Sequence, residues 1–228
     1  MKKLVLLVML VFAGCPQAYV PSAGSVPILK TAKRECMLII GMDTSGSFME
    51  EMFGADGRGY EFTLQAIDRL FRQRFGEDDR VLLAQLSTGE SLLWEGSPLS
   101  MKKRFKSASS MKDFVLQNSG QGGSSLFAGI AETLRYVSGL PGVAEGQTQT
   151  CVLVLSDMED NSPTQVEDRK RMVEELRAFK GLPGGIGFYF VSTSRMEDTR
   201  NCLMDAGLDP SLIECGIVEN PPLPSFEQ

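Results

Sequence analysis

The sequence of 228 residues contains no histidine. This absence excludes the Ser-His-Asp triad, the Cys-His pair and every metal centre that uses imidazole ligands. The chain also has no Gly-x-x-x-x-Gly-Lys-Ser/Thr segment, so it lacks the loop that holds nucleotide phosphates in many enzymes. Since these common catalytic arrangements are missing, we expect that the protein is not an enzyme.

Two further chemistries fail around Asp43. An EF-hand loop that began at Asp43 would need a bidentate Glu at its twelfth position, which is Gly54 here. Phosphohydrolases with an aspartate nucleophile carry Asp-x-Asp, whereas the second position here is Ser45. A metal-dependent hydrolase is therefore kept only as the least favoured alternative.

Basic charge is also scarce. The 23 Lys and Arg residues are outnumbered by 29 Asp and Glu residues, which gives a formal net charge of −6. No basic stripe runs along the chain, so nucleic acid is not expected as a partner. The one cluster of cations, at residues 102–106, is interpreted as a solvated loop or the start of a helix.

Long apolar runs are few, and the one at the N-terminus indicates the cellular compartment. Lys2 and Lys3 precede an apolar run at residues 4–13, which is followed by Gly14 and Cys15. The run is too short to cross a membrane as a helix and is typical of a secretory signal. No later run reaches spanning length.

The end of this run, residues 12–15, resembles a bacterial lipobox. The resemblance implies that residues 1–14 are a lipoprotein signal peptide and that Cys15 carries the lipid. The alternative is an ordinary signal peptide that contains a cysteine. Residue 16 is Pro rather than Asp, which by resemblance to sorting in enteric bacteria favours the outer membrane. We therefore expect a lipid-anchored protein of the bacterial cell envelope, facing the periplasm or the surface.

After a linker at residues 15–33, apolar runs alternate with amphipathic stretches in a predicted domain at residues 34–220, and residues 221–228 form a tail. Strands are predicted at 36–42, 81–86, 91–94, 151–155, 186–191 and 212–218, and helices at 61–75, 111–118, 126–137, 163–180 and 196–206. The alternation predicts an α/β fold, with a doubly wound, mostly parallel sheet, helices on both faces and residues 91–94 as an antiparallel edge strand. Ser162 is predicted to cap the helix that starts at Pro163.

Oxygen-bearing side chains follow the first strand at alternate positions, as Asp43, Ser45 and Ser47. The strand before them is apolar enough to be buried on both faces, and ligands bind at the carboxyl ends of such strands. Carboxylate and hydroxyl oxygens suit hard cations such as Mg²⁺, Ca²⁺ or Mn²⁺. The alternative is that these residues are ordinary loop and turn formers.

Two later segments complete a pattern. A glycine-rich loop at residues 120–124 ends in Ser124, and a second apolar strand ends in Ser156 and Asp157. Together with residues 43–47, these segments resemble the three loops of the metal-ion-dependent adhesion site in von Willebrand factor A domains. The resemblance implies a fold of that type and the metal ligands Asp43, Ser45, Ser47, Ser124 and Asp157. The chain departs from the family at Ser124, where Thr is usual, and at Met158, where Gly is frequent.

The resemblance also implies a function. In that family a Glu or Asp of a protein partner completes the coordination of a divalent cation, and we expect Mg²⁺, or Mn²⁺ or Ca²⁺, in this role here. Mg²⁺ takes six oxygen ligands and keeps several waters, so such a carboxylate can replace one of the waters. The competing interpretation is a scaffold or assembly subunit of an envelope complex, in which the metal is purely structural.

Four cysteines remain after Cys15, namely Cys36, Cys151, Cys202 and Cys215. An even number in an extracytoplasmic protein permits disulfides. By resemblance to the family's sheet, Cys36 and Cys151 lie on neighbouring strands. Cys202 and Cys215 are close in sequence, on a helix and the strand that follows it. Buried free thiols are the alternative for all four.

Overall fold

The structure, a computed structural model, describes residues 34–74, 76–87, 91–119, 125–209 and 213–215, the last three by their main chain alone. The chain divides into two units, Met1–Lys33 and Arg34–Gln228, and the described residues all belong to the second. The predicted signal peptide, linker and tail, including Cys15, lie outside the described residues.

A six-stranded sheet organises this unit. Its strands are β1 (Glu35–Met42), β2 (Arg80–Gln85), β3 (Leu92–Gly96), β4 (Thr148–Leu155), β5 (Gly184–Val191) and β6 (Ile213–Cys215), in the order β3-β2-β1-β4-β5-β6. All neighbouring strands are parallel except β2 and β3. The predicted fold class is confirmed, including the antiparallel edge strand.

Eight helices connect the strands in the part of the chain that the structure describes. They are α1 (Met49–Phe53), α2 (Gly59–Gln73), α3 (Pro98–Arg104), α4 (Ala108–Asn118), α5 (Leu126–Ser138), α6 (Pro141–Ala144), α7 (Gln165–Phe179) and α8 (Met196–Ala206). The short helices α1, α3 and α6 were not predicted, because four to seven residues show too little periodicity. Residues 102–104 close α3 rather than start a helix.

The predicted start of α7 at Pro163 is wrong. The helix begins at Gln165, after Thr164, and Ser162 lies in the turn before it. The Ser162 hydroxyl accepts a hydrogen bond from the Thr164 backbone N–H at 3.2 Å, and its carbonyl accepts one from Gln165 at 3.2 Å. Ser162 therefore caps the turn before the helix, and the helix begins two residues later than predicted.

Strand β1 lies at the centre of the sheet because its side chains are apolar on both faces. Met37 and Ile39 pack on one face with residues of α5, α7 and α8. Leu38 and Ile40 pack on the other face with residues of α1, α2, α3 and α4. Successive side chains of a strand point to opposite faces, so a continuous apolar run supplies both cores at once.

Strand β5 carries an irregularity near its carboxyl end. Phe190 has a positive φ of 66°, and the register with β6 shifts between Phe188 and Val191. As a result Tyr189 and Phe190 both belong to the apolar cluster on the α2 face, although they are adjacent in sequence. Phe190 there packs against Phe62 with ring centroids 5.8 Å apart.

Of the two alternatives for the cysteines, disulfides or free thiols, the structure has free thiols at the three whose side chains are described, Cys36, Cys151 and Cys202. In the β1–β4 register Cys36 is opposite Gln149 and Cys151 is opposite Leu38. Such a diagonal pair is about 7–8 Å apart, beyond the reach of a disulfide without backbone movement. The Cys202 thiol accepts a hydrogen bond from Arg169 Nε at 2.8 Å, and the side chain of Cys215 lies outside the described residues. Burial raises the pKa of Cys151 to about 12.

A membrane-spanning helix would need a long apolar stretch. Among the residues that the structure describes, no helix is both long and apolar enough to cross a bilayer.

Candidate metal centre

The first predicted ligand, Asp43, directly follows β1 at the carboxyl edge of the sheet. In the register Met42 is opposite Leu155 of β4, so Asp43 comes opposite Ser156 and Asp157 lies one residue further on. The Asp43 N–H donates to the Leu155 carbonyl at 2.9 Å, which extends the ladder past the end of the strand. The two acidic residues therefore start the loops that follow two neighbouring central strands.

The Asp43 carboxylate is fully buried and bonded on both oxygens. Oδ1 accepts from the Ser45 backbone N–H at 2.8 Å, and Oδ2 accepts from the Ser156 hydroxyl at 2.7 Å. Burial raises the pKa of this carboxyl above its ordinary value, the two hydrogen bonds counter the rise, and the charge of Asp157 adds to it. A buried carboxylate next to a second one favours a neutralising cation.

The serines of the first loop, residues 43–47, stand beside Asp43. Ser45 is buried and Ser47 is exposed, and their hydroxyl oxygens are 3.3 Å apart. Adjacent oxygen ligands of an octahedral cation with bonds of about 2.0–2.4 Å are separated by roughly 3 Å. The two hydroxyls therefore have the spacing of neighbouring ligands, one facing the interior and one facing solvent.

The third loop, residues 156–164, brings Asp157 to the same edge in a different way. Asp157 is only half-buried, and its Oδ1 accepts from the Glu159 N–H at 2.9 Å. The next residue, Met158, has a φ of 64° with its side chain buried. This left-handed conformation explains why Gly is frequent here in the family that the sequence resembles, since glycine adopts it without strain.

The second loop, residues 120–124, lies outside the described residues, and Ser124 with it. Ser125, the next residue, is the N-cap residue of α5, and its N–H donates to the Ser87 carbonyl at 3.5 Å. The Ser87 hydroxyl in turn bonds to that of Thr44 at 2.6 Å. A β-carbon on Gly129 would come 2.1 Å from the Leu86 carbonyl oxygen, so glycine is what lets α5 approach the end of β2 this closely.

A buried aspartate of the third loop reaches the first turn of α5. Asp160 Oδ2 accepts from the Phe127 N–H at 2.9 Å, and Oδ1 accepts from the Ser162 N–H at 2.7 Å. The N-terminus of a helix attracts negative charge and presents N–H groups without intrahelical partners. Asp160 therefore fixes Phe127, in the first turn of α5 and three residues past Ser124, to the loop that carries Asp157.

The outer side of the third loop is held by an ion pair. Glu159 Oε2 accepts from Nε and one terminal nitrogen of Arg195 at 2.9 and 2.8 Å, and Oε1 accepts from the Ser194 hydroxyl at 3.1 Å. The Arg195 bond lowers the pKa of Glu159. Glu159 thus joins the third loop to the segment after β5.

The residues present fit a hard cation with oxygen ligands. Within the described residues no group of three or more His, Cys, Asp or Glu side chains is placed to hold a metal. The site has two carboxylates instead, Asp43 and Asp157, and its other donors are the hydroxyls of Ser45 and Ser47. Magnesium is commonly held by one or two carboxylates together with neutral oxygens and waters.

Sequence reasoning missed the residues that position these donors, above all Ser156, Asp160, Thr44 and Ser87. Ser156 directly precedes Asp157 in the sequence, but its place opposite Asp43 follows only from the register of β1 and β4. The contact between Thr44 and Ser87 had no signal in the sequence, since two small hydroxyl residues 43 apart carry no pattern.

Comparisons with solved structures show what the fold resembles. The pilus adhesin SpaC from Lactobacillus rhamnosus GG, in its open conformation, aligns with a TM-score of 0.55 and 12% identity over 83% of this chain and 28% of that one. Proximal thread matrix protein 1 from the mussel byssus aligns with a TM-score of 0.52 and 16% identity over 80% of this chain and 44% of that one. A structure of the mussel protein with zinc in its MIDAS motif aligns with a TM-score of 0.50 and 15% identity, over the same shares.

The SpRpn10 VWA domain aligns with a TM-score of 0.50 and 12% identity over 83% of this chain and 91% of that one. The chain therefore has a von Willebrand factor A-like fold, which confirms the fold that the sequence resemblance implied. It spans less than half of the adhesin and of the mussel protein. No protein-family model matches the chain, and no curated protein matches it.

Proposed function

We propose that this chain is a von Willebrand factor A domain that holds a divalent cation at the carboxyl edge of β1 and β4. The observation that carries the proposal is the buried Asp43 carboxylate, with the Ser45 and Ser47 hydroxyls beside it and Asp157 in the loop that follows the neighbouring strand. The zinc-occupied MIDAS motif of the mussel protein supports a divalent cation at this place in the fold.

The proposed ligands are Asp43, Ser45, Ser47, Ser124 and Asp157. Ser124 is included because the start of α5, which follows the second loop directly, is held near the first and third loops. Ser125 bonds to Ser87, which bonds to Thr44, and Phe127 bonds to Asp160. Oxygen donors alone favour Mg²⁺, Mn²⁺ or Ca²⁺ over softer ions. When bound, the cation would supply a positive centre for an outside carboxylate.

Through this cation the domain binds a Glu or Asp of a protein partner. The exposed Ser47 and half-buried Asp157 give the site an open side from which a carboxylate can approach. A pilus adhesin and a byssus matrix protein among the similar structures support adhesion or protein binding rather than catalysis.

A scaffold function with a structural cation is the second candidate. The bonds from Asp160 to α5 and from Thr44 to Ser87 favour it, because they tie three loops together around the site. A cation that only strengthens this tie would raise stability and leave the partner-binding surface unchanged.

Capture of partners by the full protein separates the two candidates. The wild type and Asp43→Asn are used as baits, each with and without a chelator. Partners lost both with chelator and in Asp43→Asn support carboxylate binding through the cation. Partners retained in both conditions support the scaffold, and a wild type with no divalent-ion binding in calorimetry contradicts both.

For the N-terminus we propose a lipoprotein signal at residues 1–14, lipid on Cys15, and a linker at 15–33 before the domain. The protein would then lie in the cell envelope, at the outer membrane. Metabolic labelling with a fatty-acid analogue tests this. We expect label on the wild type and none on Cys15→Ser; label retained by the variant would contradict the assignment.

A further inference from the structure

One corner of the domain carries charge opposite to that of the whole chain. Residues 98–118, which form α3 and α4, contain five cations and a single carboxylate, Asp113, although acidic residues outnumber basic ones overall. Four of the cations lie within five residues. We define the α3 corner as Leu99, Lys102, Lys103, Arg104 and Lys106.

The charges of the α3 corner are exposed. All four basic side chains are solvent-accessible. Among the described residues, no carboxylate lies within ion-pair distance of Lys103, Arg104 or Lys106. Four exposed cations within five residues, three of them without an ion pair, concentrate positive charge at this corner.

Aromatic rings hold part of this charge in place. The Lys102 ammonium lies 5.1 Å from the centre of the Phe71 ring, and the Arg104 guanidinium lies 5.2 Å from that of Phe114. A cation over an aromatic face is attracted to it and loses some freedom. The corner is thus partly preorganised for an anionic surface.

An apolar side chain stands among the cations. Leu99 is 52% exposed, and it precedes Lys102 and Lys103 by three and four residues on the same helix. Residues at these spacings share one helix face. Cations together with an exposed leucine on one face are typical of segments that lie on a bilayer surface.

Lys102 of the α3 corner lies toward the edge of the sheet opposite the candidate metal centre. Gly96, two residues before α3, is opposite Val81 at the start of β2. Phe71, under Lys102, is one helical turn from Arg74, whose guanidinium donates to the carbonyl of Arg34 before β1. Val81 is opposite Leu38 of β1, so Gly96 stands about 17 Å along the strands from Asp43, at 3.3 Å per residue.

We propose that the α3 corner docks on an anionic lipid surface, with phosphate headgroups facing the cations and Leu99 entering the interface. The proposal stands whether or not Asp43 binds a cation. A lipid chain and a basic patch together give firmer attachment than one chain alone, so the corner would act with the proposed anchor at Cys15.

Vesicle co-sedimentation of the full 228-residue chain tests the proposal. Binding to phosphatidylcholine vesicles is compared with binding to vesicles that also contain phosphatidylglycerol. Residues 1–33 are present in every sample, so their contribution cancels between variants. We expect the wild type to prefer the anionic vesicles, and about 1 M salt, with its Debye length of about 3 Å, to abolish the preference.

The variant Lys102→Gln/Lys103→Gln/Lys106→Gln should lose most of this preference. Each basic residue near an anionic surface contributes about fivefold, so the expected loss is on the order of a hundredfold. The matched control Lys170→Gln/Lys180→Gln/Arg200→Gln removes three exposed cations from α7, its C-cap and α8. It should keep the preference of the wild type.

The double variant Lys103→Glu/Lys106→Glu leaves the contact of Lys102 with Phe71 intact and should also lose the preference. Equal losses in the triple variant and its control would overturn the proposal, and so would a wild type that binds both vesicles alike. Displacement by soluble glycerol phosphate at a phosphate concentration equal to that of the vesicles would show a site for single phosphates instead, and would overturn it as well.

Discussion

The loops after β1 and β4 begin at the same level of the sheet, but they differ in how deeply they bury their aspartates. The first loop buries its carboxylate and has both oxygens bonded by Ser45 and Ser156. The third loop leaves Asp157 half-buried and turns away through a left-handed residue, Met158. In the register of β1 and β4, Ser156 lies opposite Asp43, and Asp157 comes one residue further along the chain. This displacement of Asp157 by one residue produces the difference.

The comparison shows how a site can combine a fixed donor with an accessible one. Asp43 is held by the protein whether or not a cation is present, so it would define the position of the ion. The Asp157 carboxylate accepts a hydrogen bond from the Glu159 N–H in its own loop and has partial access to solvent. It would therefore share the cation with groups from outside.

Substitution of Asp43 should have the largest effect. Asp43→Ala leaves the Ser156 hydroxyl and the Ser45 N–H without their acceptor, so without added ion we expect a loss of about 1–3 kcal/mol in the free energy of unfolding. Divalent ion binding should disappear. Thermal melts with and without Mn²⁺ measure both; the wild type should gain about 2.7 kcal/mol at a hundredfold excess over the dissociation constant.

The control for Asp43→Ala is Asp43→Asn, which keeps the shape and removes the buried charge. It should lose the ion and remain within about 1 kcal/mol of the wild type without it. Ion-dependent stabilisation of equal size in either variant and the wild type would contradict the role given to Asp43.

Asp157→Ala should separate ion binding from stability. Its side chain is half-buried and its bond to Glu159 is local, so the loss of stability without ion should be below about 1.5 kcal/mol. Removal of a direct ligand should weaken the binding of Mn²⁺, measured by calorimetry, by about 100-fold or more. If Asp157→Ala destabilises the protein as much as Asp43→Ala does, the two loops do not differ as described.

Substitutions of Met158 measure how much backbone strain its left-handed conformation adds to the third loop. Met158→Gly relieves about 1–2 kcal/mol of backbone strain, but it removes a buried side chain of a kind whose truncation costs about 2–5 kcal/mol. We expect a net loss of stability in chemical denaturation. Met158→Leu keeps the strain and most of the volume and should change stability by less than about 1.5 kcal/mol. A more stable glycine variant would mean that strain outweighs packing.

The second loop should give the smallest effects. Ser124→Ala should weaken the binding of Mn²⁺. Ser124→Thr should be tolerated and should bind Mn²⁺ at least as tightly, because the β-branched side chain is restricted in χ1. Ser125→Ala is the matched control and should matter much less. Calorimetry on the three variants decides: loss of the ion in Ser125→Ala alone would shift the ligand by one residue, and no loss in any would remove this loop from the site.

The fold was largely predictable because its signals are local and repeated. Continuous apolar runs predicted β1 and β4, and periodicity predicted α2, α5 and α8. The candidate site was predictable only as a set of donors. The pairing of Asp43 with Ser156 depends on the register of strands more than a hundred residues apart, and the link from Asp160 to Phe127 depends on how α5 packs.

Departures from regular patterns were not predictable. Sequence alternation assigns Tyr189 and Phe190 to opposite faces of β5, but the positive φ of Phe190 puts both on one face. The start of α7 was misplaced because Ser162 can cap either a helix or a turn, and the choice depends on Asp160, whose Oδ1 accepts from the Ser162 N–H.

The strand order has a consequence for how the protein is made. β1 pairs with β2 on one side and with β4 on the other, and β4 begins only at Thr148. During synthesis from the N-terminus, the first three strands can associate while one edge of the most apolar strand stays open. Such an edge invites pairing with other chains. Ser156 follows Asp43 by 113 residues. The Asp43 carboxylate therefore cannot accept the hydrogen bond from Ser156 until most of the domain has been synthesised.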